Sequence, residues 1–227
     1  KRAIFPSGFP GVKIANNLRI GLIVKNNDIM SIALETLGYD FKILDEKLLK
    51  KDNLSQFDTI IISQGAYASM PSLVQVNKRL LKFIEEGGNL IVFPQYYNKD
   101  DIITPYPLKI SFNPITDEYA PMTILISGHP LFNSPNKISA QDFSDWTQDR
   151  GLVFPYEYPS EYAELISCPS ARGGIIKGGY LVGHYGKGSY ILTTYAWYRQ
   201  LREFNVGAYK NLANMLAYFY AKDNGKN

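Results

Sequence analysis

The 227 residues carry 24 Lys and Arg against 21 Asp and Glu, a net charge of +3 with the two signs interspersed. That balance excludes the large one-sign field that would draw a chain to nucleic acid or to an anionic membrane. The single cysteine, Cys168, excludes an internal disulfide and a thiolate metal cluster, and no apolar run reaches the roughly 20 residues needed to cross a bilayer.

Residues 1–17 hold two prolines, two glycines and no periodic pattern, and read as a linker or lead-in segment. From Leu18 the pattern alternates. Leu18–Val24 is a short apolar run, as expected of a buried parallel strand. Asn27 and Asp28 offer caps to a helix over Ile29–Leu37, which Gly38 ends. Asp40–Leu44 reads as a second strand, Glu46–Lys51 as polar helical turns and Phe57–Ser63 as a third strand. Pro71 opens a helix through Glu86, with Leu73, Val74, Val76, Leu80, Leu81 and Ile84 on its apolar side, and Gly87-Gly88 stops it. Asn89–Pro94 is a fourth strand. Strands and helices in this alternation predict a mainly parallel sheet covered on both faces, in the manner of a flavodoxin-like three-layer α/β sandwich. Ligands of such sheets bind at the edge formed by the strand C-termini. Here that edge carries Lys25-Asn26-Asn27, Gln64-Gly65-Ala66-Tyr67 and Gln95-Tyr96-Tyr97-Asn98.

Residues 99–170 hold nine of the thirteen prolines and predict a β-rich, loop-rich cap inserted beside the sheet. Short strands are expected over Leu108–Phe112 and Met122–Ile126, and a helix near Ser139. Gly173–Tyr195 reads as two or three strands with a tight turn at Gly186-Lys187-Gly188. An amphipathic helix over Gly207–Ala221 closes a single domain of residues 18–221, and residues 222–227 form a polar tail.

Two histidines, His129 and His184, stand 55 residues apart, and no HxH or HExxH spacing supports a metal site. Structural hydrogen bonding is the plainer role for both. Asp142, Asp145 and Asp149 are spaced to share one helical face, where paired carboxylates could serve acid–base chemistry; a solvated helix start with local pairing to Arg150 is the bland alternative. Trp146 is either a sugar-stacking platform or a core anchor. Tyr195, Trp197, Tyr198, Arg199 and Arg202 form an aromatic-basic segment of the kind found at interfaces. The candidate ligand-binding residues are therefore Gln64, Gly65, Tyr67, Gln95, Tyr96, His129, His184 and Trp146, with no catalytic residue, metal or cofactor assigned.

The chain resembles a known group. Residues 18–98 resemble the class I glutamine amidotransferase-like superfamily, including its ThuA-like branch and the trimerisation domain of some β-galactosidases. Ser127-Gly128-His129-Pro130-Leu131-Phe132-Asn133-Ser134-Pro135-Asn136-Lys137-Ile138, Asp142-Phe143, Trp146, Arg150-Gly151-Leu152, Phe154-Pro155, Lys177-Gly178-Gly179, Tyr185 through Gly188 and Tyr195 through Leu201 resemble the C-terminal domain of large PIG-L/LmbE-type deacetylases. Amidotransferases of this superfamily carry a Gly-x-Cys-x-Gly elbow after the fourth strand. Here that place holds Phe93, Pro94 and Gln95, so the thiolate that glutaminase chemistry requires is missing. The deacetylases' zinc-binding His-Pro-Asp-Asp type motif is also missing from these residues. The resemblance implies a non-catalytic accessory or interaction domain in carbohydrate metabolism, with an upstream deacetylase domain, a second copy of the chain or a saccharide as partner. The alternative is a ThuA-like or hydrolase-type enzyme acting on a sugar-related substrate through His129, His184 or the Asp142/Asp145 group. Lys1 in place of Met implies a cleaved signal or a missing domain, which leaves secreted, periplasmic and cytoplasmic locations all open.

Overall fold

A computed structural model describes residues 9–26, 28–96 and 101–224. The main sheet has seven strands: β1 (Ile20–Ile23), β2 (Phe41–Ile43), β3 (Thr59–Ile62), β4 (Asn89–Val92), β8 (Tyr162–Glu164), β11 (Tyr180–Tyr185) and β12 (Gly188–Thr193). Their order is β2-β1-β3-β4-β12-β11-β8. Pairing is parallel from β2 across to β12, then antiparallel from β12 to β11 and from β11 to β8. Two small sheets stand beside it. One pairs β5 (Lys109–Ile115) with β7 (Gly151–Glu157), and the other runs β10 (Ile175–Ile176), β9 (Ile166–Pro169), β6 (Thr123–Ile124).

The helices are α1 (Ile29–Leu37), α2 (Glu46–Lys51), α3 (Ala66–Ser69), α4 (Asn77–Glu85), α5 (Trp197–Arg202) and α6 (Val206–Asn224). Side chains alternate across a strand, so each central strand feeds two cores. Ile61, Ile91 and Ile191 join the core built with α1, α5 and α6. Ile60, Ile62, Leu90, Val92, Tyr190 and Leu192 join the core built with α2, α3 and α4. That double burial is why these strands read as unbroken apolar runs.

The α1 boundaries match the sequence reading. The Asp28 side chain accepts from the backbone N–H groups of Met30 and Ser31, and Gly38 closes the helix in the left-handed conformation. Asn27, the other expected cap, lies outside the described residues. The helix expected over Pro71–Glu86 is two pieces, a 3-10 turn at Pro71–Val76 and then α4. The helix expected near Ser139 is a 3-10 turn over Ala140–Phe143, closed by a reciprocal box between Ser139 and Asp142. Residues 99–170 contribute an edge strand, β8, to the main sheet as well as side strands. In the lead-in segment, Phe9 is buried and stacks on Tyr209 at 4.2 Å, and Lys13 exchanges backbone hydrogen bonds with the Asn136 side chain at 2.8 Å.

Buried amides fix α6 to the sheet and loops. Asn205 caps its start by accepting from Ala208 N–H at 3.0 Å. The Asn214 amide donates to the carbonyls of Leu131 and Asn136, both at 2.8 Å, and its oxygen accepts from Asn136 N–H at 2.9 Å. Asn89 on β4 donates to Met215 O at 2.9 Å, and Thr59 on β3 donates to Leu216 O at 3.0 Å. Gly207 lets α6 approach the 3-10 turn, since a Cβ there would stand 1.9 Å from Asp142 O. Replacing Asn214 by Ala would strand three buried backbone groups, and each buried unsatisfied group costs about 1–3 kcal/mol. Asn214→Ala is expected to destabilise the fold by roughly 3 kcal/mol, read as a lowered urea midpoint with an unchanged m-value.

Candidate functional site

The C-terminal edge of the parallel strands is organised around Gln95. Its amide donates to Ser63 O and Phe93 O, each at 2.8 Å, and its oxygen accepts from Tyr67 N–H at 3.2 Å. The side chain thus joins the end of β4 to the end of β3 and the start of α3. Gly65 turns the chain from β3 into α3 with φ +67° and donates to Pro94 O at 3.0 Å. Tyr67 is fully buried, donates to Asn77 Oδ1 at 2.7 Å and accepts from Ile103 N–H at 3.0 Å. Gln95 and Tyr67, expected as ligand contacts, are spent on holding the edge together. Gln64 and Tyr96 are half-buried; Gln64 Oε1 is enclosed without a hydrogen-bond partner, and the Tyr96 hydroxyl lies against the Tyr198 hydroxyl. Tyr97 and Asn98 lie outside the described residues. On the β1 side of the same edge, a hollow of about 430 Å³ opens among Val24, Lys25, Asp45, Ser69, Met70 and Pro71.

Tyr96 faces a group that the sequence reading did not assemble. Burial raises its hydroxyl pKa first, and the field of Tyr198 and Asp149 adds to the rise. Asp149 is buried and its Oδ2 pairs with Arg199 Nε at 3.0 Å, while Oδ1 has no hydrogen-bond partner. Burial pushes the Asp149 carboxyl above the ordinary carboxylate range, and Arg199 opposes the shift. The Arg199 guanidinium bonds Gln148 Oε1 and lies 4.8 Å over the Tyr198 ring. The loop carrying Asp149 is stitched down by Gln200, whose amide oxygen accepts from Thr147 N–H at 2.9 Å and whose nitrogen donates to Thr147 O at 3.1 Å. Asp145 and Gln148 hold positive φ in that loop, at 56° and 73°, a strained geometry for residues with side chains. A desolvated carboxylate beside an arginine and two tyrosines, at the ligand edge of a sheet, has the features of a binding or acid–base site.

The remaining candidates fall elsewhere. Trp146 is a core residue, packed at 4.9 Å against Trp197 with the Arg150 guanidinium 5.3 Å over its ring. Asp142 accepts from Ser139 N–H and from Lys210 Nζ, both at 2.8 Å, so it caps a turn and pairs with α6. The shared helical face expected for Asp142, Asp145 and Asp149 does not form, because the chain leaves the helical region after Phe143. His129 and His184 do meet. Each places Nε2 3.4 Å from the Tyr218 hydroxyl, with rings roughly parallel to it at 5.4 Å and 6.2 Å. They sit at the opposite edge of the sheet: His184 pairs with Ser189, and Ser189 with Asn89 at the start of β4. The edge-binding and histidine candidates therefore form two separate places. Burial, and then the neighbouring His184, hold the His129 pKa down to about 4.

Cys168 is fully buried on β9, with its pKa pushed up to about 11 by burial. That is the opposite of an activated thiolate. Among the described residues, no group of three His, Cys, Asp or Glu could hold a metal ion, and no helix is long and apolar enough to cross a membrane.

Comparison with known proteins places the fold. The family model described as "GLMA-like, second domain" matches residues 18–111. A glutamine amidotransferase from Thermotoga maritima superposes with a TM-score of 0.56 at 10% identity, covering 90% of this chain and 99% of that one. A ThuA-like protein from Bacteroides uniformis gives 0.54 at 12%, covering 97% and 98%. A cold-adapted β-galactosidase from Rahnella gives 0.51 at 12%, covering 92% of this chain but 31% of the enzyme. The search of curated proteins found no significant match. The fold is that of glutamine amidotransferase-like and ThuA-like proteins.

Two pH effects follow. His129 has a folded pKa of about 4 against an ordinary 6.5, so stability from its neutral form is complete above pH 6.5 and is lost as pH falls towards 4. Urea midpoints across that interval should fall for the native chain and fall less for His129→Gln. Asp149 shifts the other way: with its pKa raised, its ionisation lowers stability as pH climbs out of the ordinary carboxylate range. Asp149→Asn should flatten that part of the same profile.

Proposed function

We propose that this chain is a non-catalytic, amidotransferase-like accessory or interaction module in carbohydrate metabolism. In this reading residues 18–221 act as one unit with residues 99–170 as its cap, beside an N-acetyl-sugar deacetylase-type domain or a second copy of the chain. The observation that carries the proposal is the end of β4. Where the fold would present a nucleophile, the chain has Phe93-Pro94-Gln95, with the Gln95 amide engaged in three hydrogen bonds. A reactive group must be exposed beside a base, and Gln95 is neither exposed nor nucleophilic. The link to carbohydrates draws support from the deacetylase-like run around Ser127–Pro135 and from the β-galactosidase in which a similar unit makes up part of a longer enzyme.

One observation favours a second reading, a ThuA-like or hydrolase-type enzyme. Asp149 is a desolvated carboxylate with an unpaired oxygen at the ligand edge. It takes the acid–base place first given to Asp142 and Asp145. The two readings separate in assays of ammonia release from glutamine and of turnover of chromogenic glycosides and N-acetyl sugars. The accessory reading expects every rate to equal the blank. Turnover that disappears in Asp149→Asn would replace it with the enzyme reading.

A further inference from the structure

A second place in the molecule has the make-up of a ligand site; it lies apart from the edge built around Gln95, and its far end reaches Ile126, whose carbonyl accepts from the His129 N–H at 3.0 Å. Two hollows, of about 270 and 580 Å³, meet at a shared wall of Tyr158, Glu164 and Lys177. The first is lined further by Ser111 and Asn113 of β5 and by Tyr156 of β7; the second runs on past Ser160 to Leu125 and Ile126.

The polar groups of the wall are held in place by one another. Tyr158 donates to Glu164 Oε1 at 2.9 Å, and Lys177 Nζ stands 3.4 Å from Glu164 Oε2. The Asn113 side-chain oxygen accepts from Ser170 Oγ at 2.9 Å, which fixes the amide plane. The wall remains open to solvent: the Lys177 and Glu164 side chains are 49% and 35% exposed. Around it stand apolar surfaces that the fold leaves uncovered, with Tyr156 61% exposed and Ile175 60% exposed.

We propose that this groove binds a neutral saccharide. The choice of a sugar rests in part on the carbohydrate reading above, but the groove supplies its own argument. One carboxylate and one ammonium cancel, so no net charge selects an anion or a cation. The lining offers an acceptor in Glu164 and donors in Lys177 and the Asn113 amide, which suits a molecule whose every hydroxyl both donates and accepts. The exposed Tyr156 ring gives the apolar face of a pyranose a surface to lie on. A few fixed polar groups set among aromatic and apolar walls is the usual construction of a small-molecule site, and each hollow has room for one or two sugar rings.

The test uses the intact chain. N-acetylglucosamine, chitobiose, galactose and lactose are titrated by saturation-transfer NMR and calorimetry, with Tyr156→Ala and Glu164→Gln as variants. Tyr156 is on the surface, so its removal should leave the thermal melt unchanged. The proposal expects at least one of these sugars to bind saturably and its affinity to fall about tenfold or more in each variant. If none binds, the proposal is overturned. If a sugar binds, Tyr156→Ala keeps its affinity and Gln64→Ala loses it, the ligand sits at the sheet edge. The groove assignment then fails while the carbohydrate reading stands. If no sugar binds and Tyr156→Ala instead dissociates an oligomer in sedimentation, the face is a contact between copies and the proposal is overturned by that route. Glutamine hydrolysis by the chain would remove the accessory reading without touching the groove.

Discussion

The structure depends on the hold that buried amides keep on α6. This helix covers one face of the sheet with Leu212, Met215 and Leu216. An apolar face alone does not fix where along the sheet a helix rests, since one turn up or down buries similar side chains. Asn89 and Thr59 settle the position by donating from β4 and β3 into the carbonyls of Met215 and Leu216. Asn214 does the same for the loops, since its amide serves Leu131 and Asn136. Such amides cost little when fully paired and much when mispaired. The helix therefore has one acceptable register, and that register carries Tyr218 to the two histidines.

Much of the first half was legible because its signals are local. Asp28 ahead of Ile29 and Gly38 after Leu37 are a cap and a stop separated by one helix, and both act as such. The central strands announced themselves by double burial. The region after residue 100 was less legible. Its side strands are short, and β8 has one fully buried residue, Tyr162, in three, too little to produce a pattern. The segment over Asp142–Asp149 misled for a definite reason. Its acidic spacing fits a helix, but Asp145 and Gln148 adopt positive φ, and the loop takes its shape from Gln200, more than fifty residues away.

The candidate site was half readable for the same reason. Topology directed attention to the strand C-terminal edge, where Gln64 and Tyr96 lie beside enclosed polar atoms. Nothing near Asp149 in sequence shows that it pairs with Arg199 across 50 residues. A usable signal did exist: Tyr198-Arg199 opens α5, a short step past the C-terminal end of β12, the strand beside β4. Nothing in the sequence shows that His129 and His184 meet; they do so at the Tyr218 hydroxyl, at the other end of the sheet. One sheet thus separates a desolvated carboxylate at one edge from a pair of imidazoles at the other, and the two cannot act on one small molecule.

The three bonds of Gln95 also say something about which residues this position can accept. A thiol placed at that position could not replace an amide that donates twice and accepts once, so Ser63 O, Phe93 O and Tyr67 N–H would all lose a partner in the interior. A cysteine at this position would therefore cost stability unless several neighbours changed with it. In this chain the junction between β3, β4 and α3 is a structural rivet, and selection for stability alone would be enough to keep the amide there.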